Sequence, residues 1–381
     1  MGIVHIALVG GQTMPVYLAI RESRADEFIL LHSSATKMAA DTMAADIRSD
    51  IDRPVELVRL DPTDCFGVIA KLDELLRRNE NNKIEFNISS GTKPWSIAAV
   101  MLAEKYRNLE LLYVDQSCRL YNYHDSSVKE LAPMHISEIF KFNQTKVQDF
   151  TRFSDYTEED LDLLPDIKKI REKYPEQFNA LTIPTKQNKN SFANNRLGKV
   201  IDQNTYSEIN WDKNKSGRQY VKVYMVARNG SHETFELTSP HAFDMITSSG
   251  WFEYEVAGWL SSWKASREVW MNVIFPYNNK NPKNEIDIIV NVGNKLLFVE
   301  CKTKIFDNTD IDKFTSAVKN YGGMGAKAIF ITQENMKAQA IEKCDTNKIA
   351  HYSLLDERRC PRGKKALFKI LDDIMSENNV R

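Results

Sequence analysis

The first 114 residues alternate short apolar runs with stretches of helical pattern. Five apolar runs are predicted as strands, over residues 4–9, 28–31, 55–60, 83–88 and 109–114. Helices are predicted over about 36–47, 66–78 and 95–106. Because strands that alternate with helices form parallel sheets, this pattern predicts a Rossmann-like α/β domain with helices on both faces.

The last third of the chain has a second α/β pattern. A helix begins near Gly250, and its apolar residues recur at helical spacing. Three strands, a helix and a fourth strand follow, over 269–274, 285–290, 295–302, 311–321 and 326–332. The order α-β-β-β-α-β predicts a compact core in which the third strand is central, because its middle is apolar on both faces.

The residues between these two regions are polar and charged. Residues 154–178 have a charged helical pattern that starts with a Thr157–Asp160 capping box, and Asn229-Gly230 is a hairpin turn signal. The basic residues of the segment 182–218 are Lys186, Lys189, Arg196, Lys199, Lys213, Lys215 and Arg218. With Tyr side chains and Trp211 among them, they are able to follow a phosphate backbone. A solvated linker and a hairpin are the alternative, and the sequence favours it.

Composition limits the class of protein. The 381 residues are enough for two domains, and 51 basic against 52 acidic side chains give no overall charge that would indicate nucleic acid or membrane binding. Five widely spaced cysteines show no disulfide or zinc pattern. There is no signal peptide and no apolar run of about 18 residues. We therefore expect a reduced cytoplasmic protein without a membrane partner.

Two loops of the first domain have the composition of a ligand site. They are Gly10-Gly11-Gln12-Thr13-Met14-Pro15 after the first strand and Ser89-Ser90-Gly91-Thr92-Lys93 after the fourth. Ligands of parallel sheets bind at the carboxyl ends of strands, where small residues and a helix N-terminus accommodate an anion. The segment His32-Ser33-Ser34 extends the same rim. Neither loop has the glycine spacing of a dinucleotide fingerprint or a P-loop, and a helix cap with a solvated lysine is the alternative.

The candidate catalytic residues lie on two neighbouring strands of the last third. Glu300 and Lys302 are two residues apart on one strand, so both project to the same face, and Asp287 on the preceding strand can lie opposite Glu300. Adjacent carboxylates repel unless a cation lies between them, and hard oxygen ligands suit Mg²⁺ or Mn²⁺. Lys302 can hold a phosphate oxygen or help to deprotonate the attacking water. A salt bridge at a strand end is the alternative interpretation.

These motifs together resemble known families. Residues from about 241 to 381 resemble the PD-(D/E)XK restriction-endonuclease-like superfamily, with Glu285-Ile286 where the family name has Pro. Residues 1–143 resemble a CRISPR-associated Rossmann-fold (CARF) sensor domain, and residues 144–240 connect the two. The pairing of domains resembles the cyclic-oligoadenylate-activated ancillary nucleases of type III CRISPR systems.

The resemblance implies a mechanism of activation and a set of site residues. It implies a homodimer in which two CARF domains bind one ring of cyclic tetra-adenylate and thereby activate cleavage of DNA, by nicking or on single strands, with single-stranded RNA as a further candidate substrate in antiviral defence. Glu253, Asp287 and Glu300 would hold Mn²⁺ or Mg²⁺, although the choice between Glu253 and Glu255 stays open. The expected activator contacts are Gly10, Gly11, Gln12, Thr13, Met14, Pro15, Ser33, Ser34, Ser90, Gly91, Thr92 and Lys93.

Two other functions are compatible with parts of the chain. A ligand-responsive regulator that binds nucleic acid through an inactive nuclease core is the first, and the presence of Asp287, Glu300 and Lys302 argues against it. A nucleotide-metabolising Rossmann enzyme is the second. It lacks the glycine fingerprint and the acidic ribose partner that such enzymes use.

Overall fold

The computed structural model describes residues 2–115, 117–185, 189–276, 284–293, 295–303, 309–323 and 325–376. The chain divides into two compact units. The first unit comprises residues 1–147, 291–296 and 318–326, and the second comprises residues 148–290, 297–317 and 327–381. The first unit thus contains two short segments from the last third of the sequence, which the pattern analysis assigned entirely to the second domain.

The described residues of the first unit form a seven-stranded sheet with the strand order β3-β2-β1-β4-β5-β6-β7. The strands are β1 Ile3–Val9, β2 Glu27–His32, β3 Val55–Arg59, β4 Lys83–Asn87, β5 Leu109–Val114, β6 Arg119–Asn122 and β7 Ser127–Glu130. The helices are α1 Met14–Glu22, α2 Lys37–Asp46, α3 Cys65–Arg78, α4 Lys93–Ala103 and α5 Ile136–Phe142. Strands β1 to β5 are parallel to their neighbours, and the hairpin β6–β7 is antiparallel.

The predicted parallel α/β fold of the first unit is confirmed, and its physical basis is the central strand. Val4, Ile6 and Leu8 of β1 pack into one apolar core, while Ala7 and Val9 are buried on the opposite face. A strand that is buried on both faces requires helices on both sides of the sheet. The order β1-β4 also brings the carboxyl ends of these two strands together, so the loops that follow them are neighbours.

The second unit contains two sheets. Its strands are β8 Asp149–Arg152, β9 Leu197–Ile201, β10 Glu208–Lys215, β11 Arg218–Val226, β12 His232–Ser239, β13 Glu268–Phe275, β14 Asn284–Asn291, β15 Leu296–Lys302, β16 Lys327–Thr332 and β17 Ala350–Ser353. Its helices are α6 Glu158–Lys173, α7 Pro175–Thr182, α8 Lys189–Asn194, α9 Ala242–Ile246, α10 Gly250–Ser261, α11 Thr309–Tyr321, α12 Ala338–Thr346 and α13 Lys364–Ser376. The ends of β14, β15 and α11 fall in segments that are counted with the first unit.

The larger sheet of this unit has the order β17-β16-β15-β14-β13-β8. The predicted sequence of helix, three strands, helix and strand corresponds to α10, β13, β14, β15, α11 and β16. Strand β15 is central because Leu297, Phe298 and Val299 are fully buried, which is the near-continuous apolar run expected of a strand that is covered on both faces.

The region expected to be a solvated linker and a hairpin forms an antiparallel sheet, β12-β11-β10-β9. Trp211 belongs to its core, with 3% of its surface exposed, and its indole N–H donates to the Asn195 carbonyl. The described basic side chains of the segment have partners: Arg196 pairs with Asp212, Lys199 with Glu208 and Arg218 with Glu159, Lys213 donates to the Phe192 carbonyl, and Lys215 lies over the Tyr220 ring. Lys186 and the side chain of Lys189 lie outside the described residues. With three of these residues in ion pairs and two in contact with other protein groups, they do not form the basic track for a phosphate backbone that the composition suggested.

A buried carboxylate connects α6 to α9. The Asp160 side chain is fully buried and accepts hydrogen bonds from the Thr157 N–H at 2.8 Å, the His241 N–H at 3.0 Å and the His241 Nδ1 at 3.0 Å. The first of these bonds is half of the capping box predicted from the sequence. The hydrogen bonds to His241 and neighbouring groups hold the pKa of Asp160 below its usual value against the opposing effect of burial, and the bond to Asp160 raises the pKa of His241.

No helix in the described part of the chain is both long enough and apolar enough to cross a membrane.

We predict that Asp160→Asn lowers the free energy of unfolding by about 1.5–3 kcal/mol, because it weakens hydrogen bonds to a charged, buried acceptor. His241 has a raised folded pKa, so its contribution is fully present below its unfolded pKa of about 6.5 and is lost as pH rises through the folded pKa. Urea unfolding at pH 6 and pH 9 should therefore show a larger deficit for the variant at pH 6. Equal deficits at both pH values would contradict an ionic pair.

Candidate active site and ligand-binding loops

The loops after β1 and β4 contact each other directly through Gly10. A Cβ atom on Gly10 would overlap the Gly91 backbone nitrogen and would lie 2.6 Å from the Ser90 Oγ and 2.8 Å from the Gly91 Cα. Gly91 itself has a φ of +94°, a conformation that favours glycine. The two glycines therefore allow two strand-end loops to meet without an intervening side chain.

A cavity of about 450 Å³ opens above this contact. Its lining residues are Gly11, Gln12, Ile88, Ser89, Ser90, Gly91, Thr92, Lys93, Ser96 and Ile97. The lining is small and polar, with one cation, and it includes the start of α4. Backbone N–H groups at a helix start, together with a lysine, are the groups that bind phosphate oxygens.

Two lining side chains have no protein partner in the described residues. The Thr92 Oγ1 is buried without a hydrogen bond and does not cap α4, although Thr92 is the N-cap residue. Lys93 is exposed, and no carboxylate in the described chain lies within ion-pair distance of it. A helix cap with a solvated lysine, the alternative from sequence, leaves the unpaired Thr92 hydroxyl unexplained.

The structure brings together some of the predicted ligand residues and leaves others apart. Gly10 lies at the contact beneath the cavity. The predicted ligand residues that line the cavity are Gly11, Gln12, Ser90, Gly91, Thr92 and Lys93. Thr13 is buried beside Asn143, and Met14 and Pro15 begin α1.

The rim segment after β2 does not reach the cavity. Ser33 is buried and satisfies its polar groups with Thr36 in a local turn, and Ser34 is exposed outside the cavity lining. Sequence analysis did not select Ile88, Ser96 and Ile97 as ligand residues. Ser96 and Ile97 line the cavity because they are about one helical turn beyond Thr92 on α4. Helical spacing from Thr92 could have indicated both residues.

The strands β14 and β15 bring Asp287, Glu300 and Lys302 together. The Lys302 Nζ lies 2.6 Å from the Glu300 Oε1 and 3.6 Å from the Asp287 Oδ2. The same Asp287 oxygen accepts a hydrogen bond from the Cys301 backbone N–H at 2.7 Å, while the Cys301 side chain is buried. Alternate residues of β15 thus face opposite sides, as strand geometry requires.

Helix α10 adds Glu253 to this group. Burial, followed by the charge of Asp287, raises the pKa of Glu253 well above its usual value, so its carboxyl group lies in the field of the strand carboxylates. Glu255, two residues away, forms an ion pair with Lys168 of α6 at 2.6 Å. The arrangement therefore selects Glu253 as the glutamate of α10 near the catalytic candidates.

Carboxyl groups are crowded at this site. Burial and then Asp287 raise the pKa of Glu300 to about 8. Burial alone would lower the pKa of Lys302, but Asp287 and Glu300 outweigh it and raise that pKa. If all three carboxyl groups were ionised, one ammonium group would offset only one of three negative charges, so a single strand-end salt bridge accounts for only part of the cluster. A further cation would relieve the remaining repulsion.

The donor set fits a hard divalent cation. All three carboxylates supply oxygen ligands, which suit Mg²⁺ and Mn²⁺. Within the described residues, no three His, Cys, Asp or Glu side chains are close enough to hold one ion together, and the Lys302 Nζ lies against two of the carboxylates instead. The metal-ligand roles of Glu253, Asp287 and Glu300 stay predictions.

Comparison with protein families agrees with both halves of this description. Residues 243–352 match the family model of the Card1-like endonuclease domain. Residues 3–118 match the model of an HFX_2341_N-like N-terminal domain. Each match covers less than half of the chain, and a search of the curated proteins finds no significant match.

Solved structures share the fold of this chain over nearly its full length. Can2 from Sulfobacillus thermosulfidooxidans, solved in complex with cyclic tetra-adenylate, is 18% identical with a TM-score of 0.63, over 98% of this chain and 100% of that one. Protein VC1899 from Vibrio cholerae is 12% identical with a TM-score of 0.67, over 98% and 97%.

A third structure, described as a type III CRISPR defence DNA nuclease activated by cyclic oligoadenylate, is 16% identical with a TM-score of 0.58, over 98% of this chain and 52% of that one. These likenesses confirm the predicted α/β fold of the N-terminal and C-terminal regions.

We predict that Gly10→Ala destabilises the protein by about 1–3 kcal/mol, because the new methyl group must displace Gly91 or Ser90. Gly363→Ala is the matched control, since a Cβ atom there meets nothing within 4 Å. Urea unfolding of both variants measures the effect. A loss for Gly363→Ala as large as that for Gly10→Ala would refute the close-contact argument.

Proposed function

We propose that this protein is a metal-dependent nuclease that is activated by cyclic tetra-adenylate and acts in type III CRISPR antiviral defence. The observation that carries the proposal is the partly buried cluster of Glu253, Asp287, Glu300 and Lys302 within the region that matches the Card1-like endonuclease model. DNA, nicked or cleaved as single strands, is the proposed substrate, with single-stranded RNA as the second candidate. A reduced, cytoplasmic setting is part of the proposal.

The chain's own residues have distinct roles in this proposal. Glu253, Asp287 and Glu300 would hold Mn²⁺ or Mg²⁺, which supplies charge stabilisation at the phosphate and a more acidic water. Lys302 holds a phosphate oxygen or orients the attacking water, because its ammonium group lies on the same face as the carboxylates. The hydrogen bond from the Cys301 N–H fixes the direction of the Asp287 carboxylate.

The cavity beside α4 is the proposed activator site. Its glycines, its serines, the unpaired Thr92 hydroxyl and Lys93 match the acceptors and negative charge of a phosphodiester backbone. Can2, which shares the fold, was solved with cyclic tetra-adenylate. The same ligand is therefore proposed here.

The proposed gating acts through a turn that is continuous in the chain with the two strands that carry Asp287 and Glu300. Residues 291–296, which join β14 to β15, belong to the first unit, where the Asn291 Nδ2 donates to the Met134 carbonyl at 2.5 Å. Asp287 and Glu300 lie on the same two strands. A shift of the connecting turn would therefore change the relative position of the two carboxylates, which is the differential effect that a ligand-driven switch needs.

A homodimer is the proposed assembly, and α4 supplies a surface for it. Ile97, Val100 and Met101 are 58%, 48% and 56% exposed at helical spacing on α4, while the opposite side of this helix is buried. A helix that is apolar on two sides is expected to be covered on both. A second copy that approaches through α4 would also share Ile97, which lines the cavity, as a ring on a two-fold axis requires.

A ligand-responsive regulator with an inactive nuclease core is the second candidate function. The carboxylates and the lysine that such a core would have lost are present and grouped, and the described basic residues of the middle sheet are paired with acids or other protein groups. Both observations favour the nuclease.

We predict that cleavage requires the activator and the metal together. Single-stranded DNA, plasmid DNA and single-stranded RNA are each incubated with Mn²⁺ or Mg²⁺, with and without cyclic tetra-adenylate. Glu300→Gln and Lys302→Met should each slow cleavage by about 10²-fold or more, because each removes a charged group at the reacting phosphate. Both variants should bind the ring like wild type.

Glu255→Gln is the matched control for these variants, because Glu255 is on the same helix as Glu253 but pairs with Lys168. It should keep wild-type cleavage. Equal wild-type rates with and without the ring would refute the gating. Tight ring binding without cleavage of any substrate would favour the regulator.

We predict that the double change Val100→Glu and Met101→Glu converts a dimer into a monomer, because it places two charges in an apolar contact. Light scattering after size exclusion measures the mass. Leu161→Glu, at a helix position that is 54% exposed, is the matched control and should keep the wild-type mass. A wild-type protein with the mass of one chain would contradict the proposed assembly.

A further inference from the structure

Phe66 is an aromatic side chain that does not pack into the core of the first unit. It lies in the first turn of α3 and is 85% exposed, whereas Val68, Leu72, Leu75 and Leu76 of the same helix are buried. A phenylalanine gains substantial free energy from burial, so this exposure leaves apolar surface available to a ligand or partner.

The loop that precedes Phe66 contacts a residue that packs against the proposed activator site. Trp95 of α4 donates its indole N–H to the Asp61 carbonyl at 2.9 Å. The opposite edge of the same indole faces Gly91, where a Cβ atom would lie 3.1 Å from the ring. One indole therefore separates the β3–α3 loop from Gly91, which lines the cavity.

This loop is held in place by its own hydrogen bonds. The Asp61 Oδ1 accepts from the Thr63 N–H at 2.8 Å and from the Thr63 Oγ1 at 2.7 Å, and Asp64 caps α3 by accepting from the Gly67 N–H at 2.8 Å. The exposure of Phe66 is therefore a property of a capped helix start. Its two carboxylates also make the loop unfavourable for a phosphate group, so the uncharged part of a nucleotide should face it.

The cavity contains groups for phosphates but none for stacking. Its lining is glycine, serine, threonine, glutamine, lysine and two isoleucines, with no aromatic ring among the described residues. A volume of about 450 Å³ is at the lower end of the range for small-molecule sites, ~300–1,000 Å³, so a four-nucleotide ring must extend beyond it. The bases that extend outward need an aromatic partner at the rim.

We propose that Phe66 stacks on an adenine base of the activator and forms part of its binding site. The inference rests on the proposed function, because it takes cyclic tetra-adenylate as the ligand. Base–aromatic stacking does not require hydrogen bonds to the base, so one exposed ring is sufficient for it. The phosphates occupy the glycine loops, and the base lies against Phe66 on the side of α3.

The test is calorimetric titration of cyclic tetra-adenylate into the full-length protein and its variants. Phe66→Ala should weaken binding by about 5- to 150-fold, the range measured for the loss of one stacking contact. Phe66→Trp should keep wild-type affinity. Phe66→Leu, which stays apolar, should bind more weakly than wild type. Tyr123→Ala, at an aromatic residue that is 60% exposed after β6, is the matched control and should bind like wild type.

Light scattering of the same samples distinguishes a lost stacking contact from a lost dimer, because only the second changes the mass. Unchanged mass together with weaker ring binding by Phe66→Ala supports the proposal. Wild-type affinity of Phe66→Ala, full affinity of Phe66→Leu, or a loss of mass that accompanies the loss of binding would each overturn it. Failure of the wild-type protein to bind the ring would overturn the proposed activator as well, so the two failures are distinguishable.

Discussion

Repulsion among crowded carboxyl groups beside one ammonium group is the constraint on which the second α/β region of this chain depends. Asp287 and Glu300 lie beside Lys302 in a partly buried setting, and Glu253 interacts electrostatically with all three. Apolar neighbours on β15 remove water that would otherwise screen them. Such a cluster is costly to bury, and groups of this kind persist where their charge is used on a metal or a phosphate.

The first unit also positions its candidate site by the ends of neighbouring strands, but the groups there are different. Parallel strands end at a common edge, and the absence of side chains at Gly10 and Gly91 lets two strand-end loops touch there. The resulting cavity offers backbone groups, hydroxyls and one lysine instead of carboxylates. The sheet edge with the Gly10 and Gly91 loops therefore suits an anionic ligand, whereas the carboxylate cluster of the second unit suits a cation.

The β14 and β15 strands cross the division of the chain into units. The turn between them is counted with the first unit, although the catalytic candidates lie farther along the same strands. Strands in a packed sheet resist bending, so a displacement of their connecting turn is expected to be transmitted along them. A ligand that favours one position of the turn would shift the population of active geometry in proportion to its differential affinity.

The sequence by itself determined the features that depend on local periodicity. The two-residue period of a strand placed Glu300 and Lys302 on one face, the alternation of strand and helix predicted the parallel sheet, and glycine positions marked the ligand loops. The middle region shows the limit of this approach, because its polar composition suggested a linker while its alternating residues form a four-stranded sheet.

Only the tertiary structure decided which distant residues meet. Lys168 of α6 pairs with Glu255 and so leaves Glu253 to the cluster, Thr36 engages Ser33 away from the cavity, and Trp95 brings the Phe66 loop to the edge of the ligand site. Periodicity is set by backbone geometry within one element, and a single sequence contains it. Partners across elements are set by how buried surfaces pack, which depends on the whole chain at once.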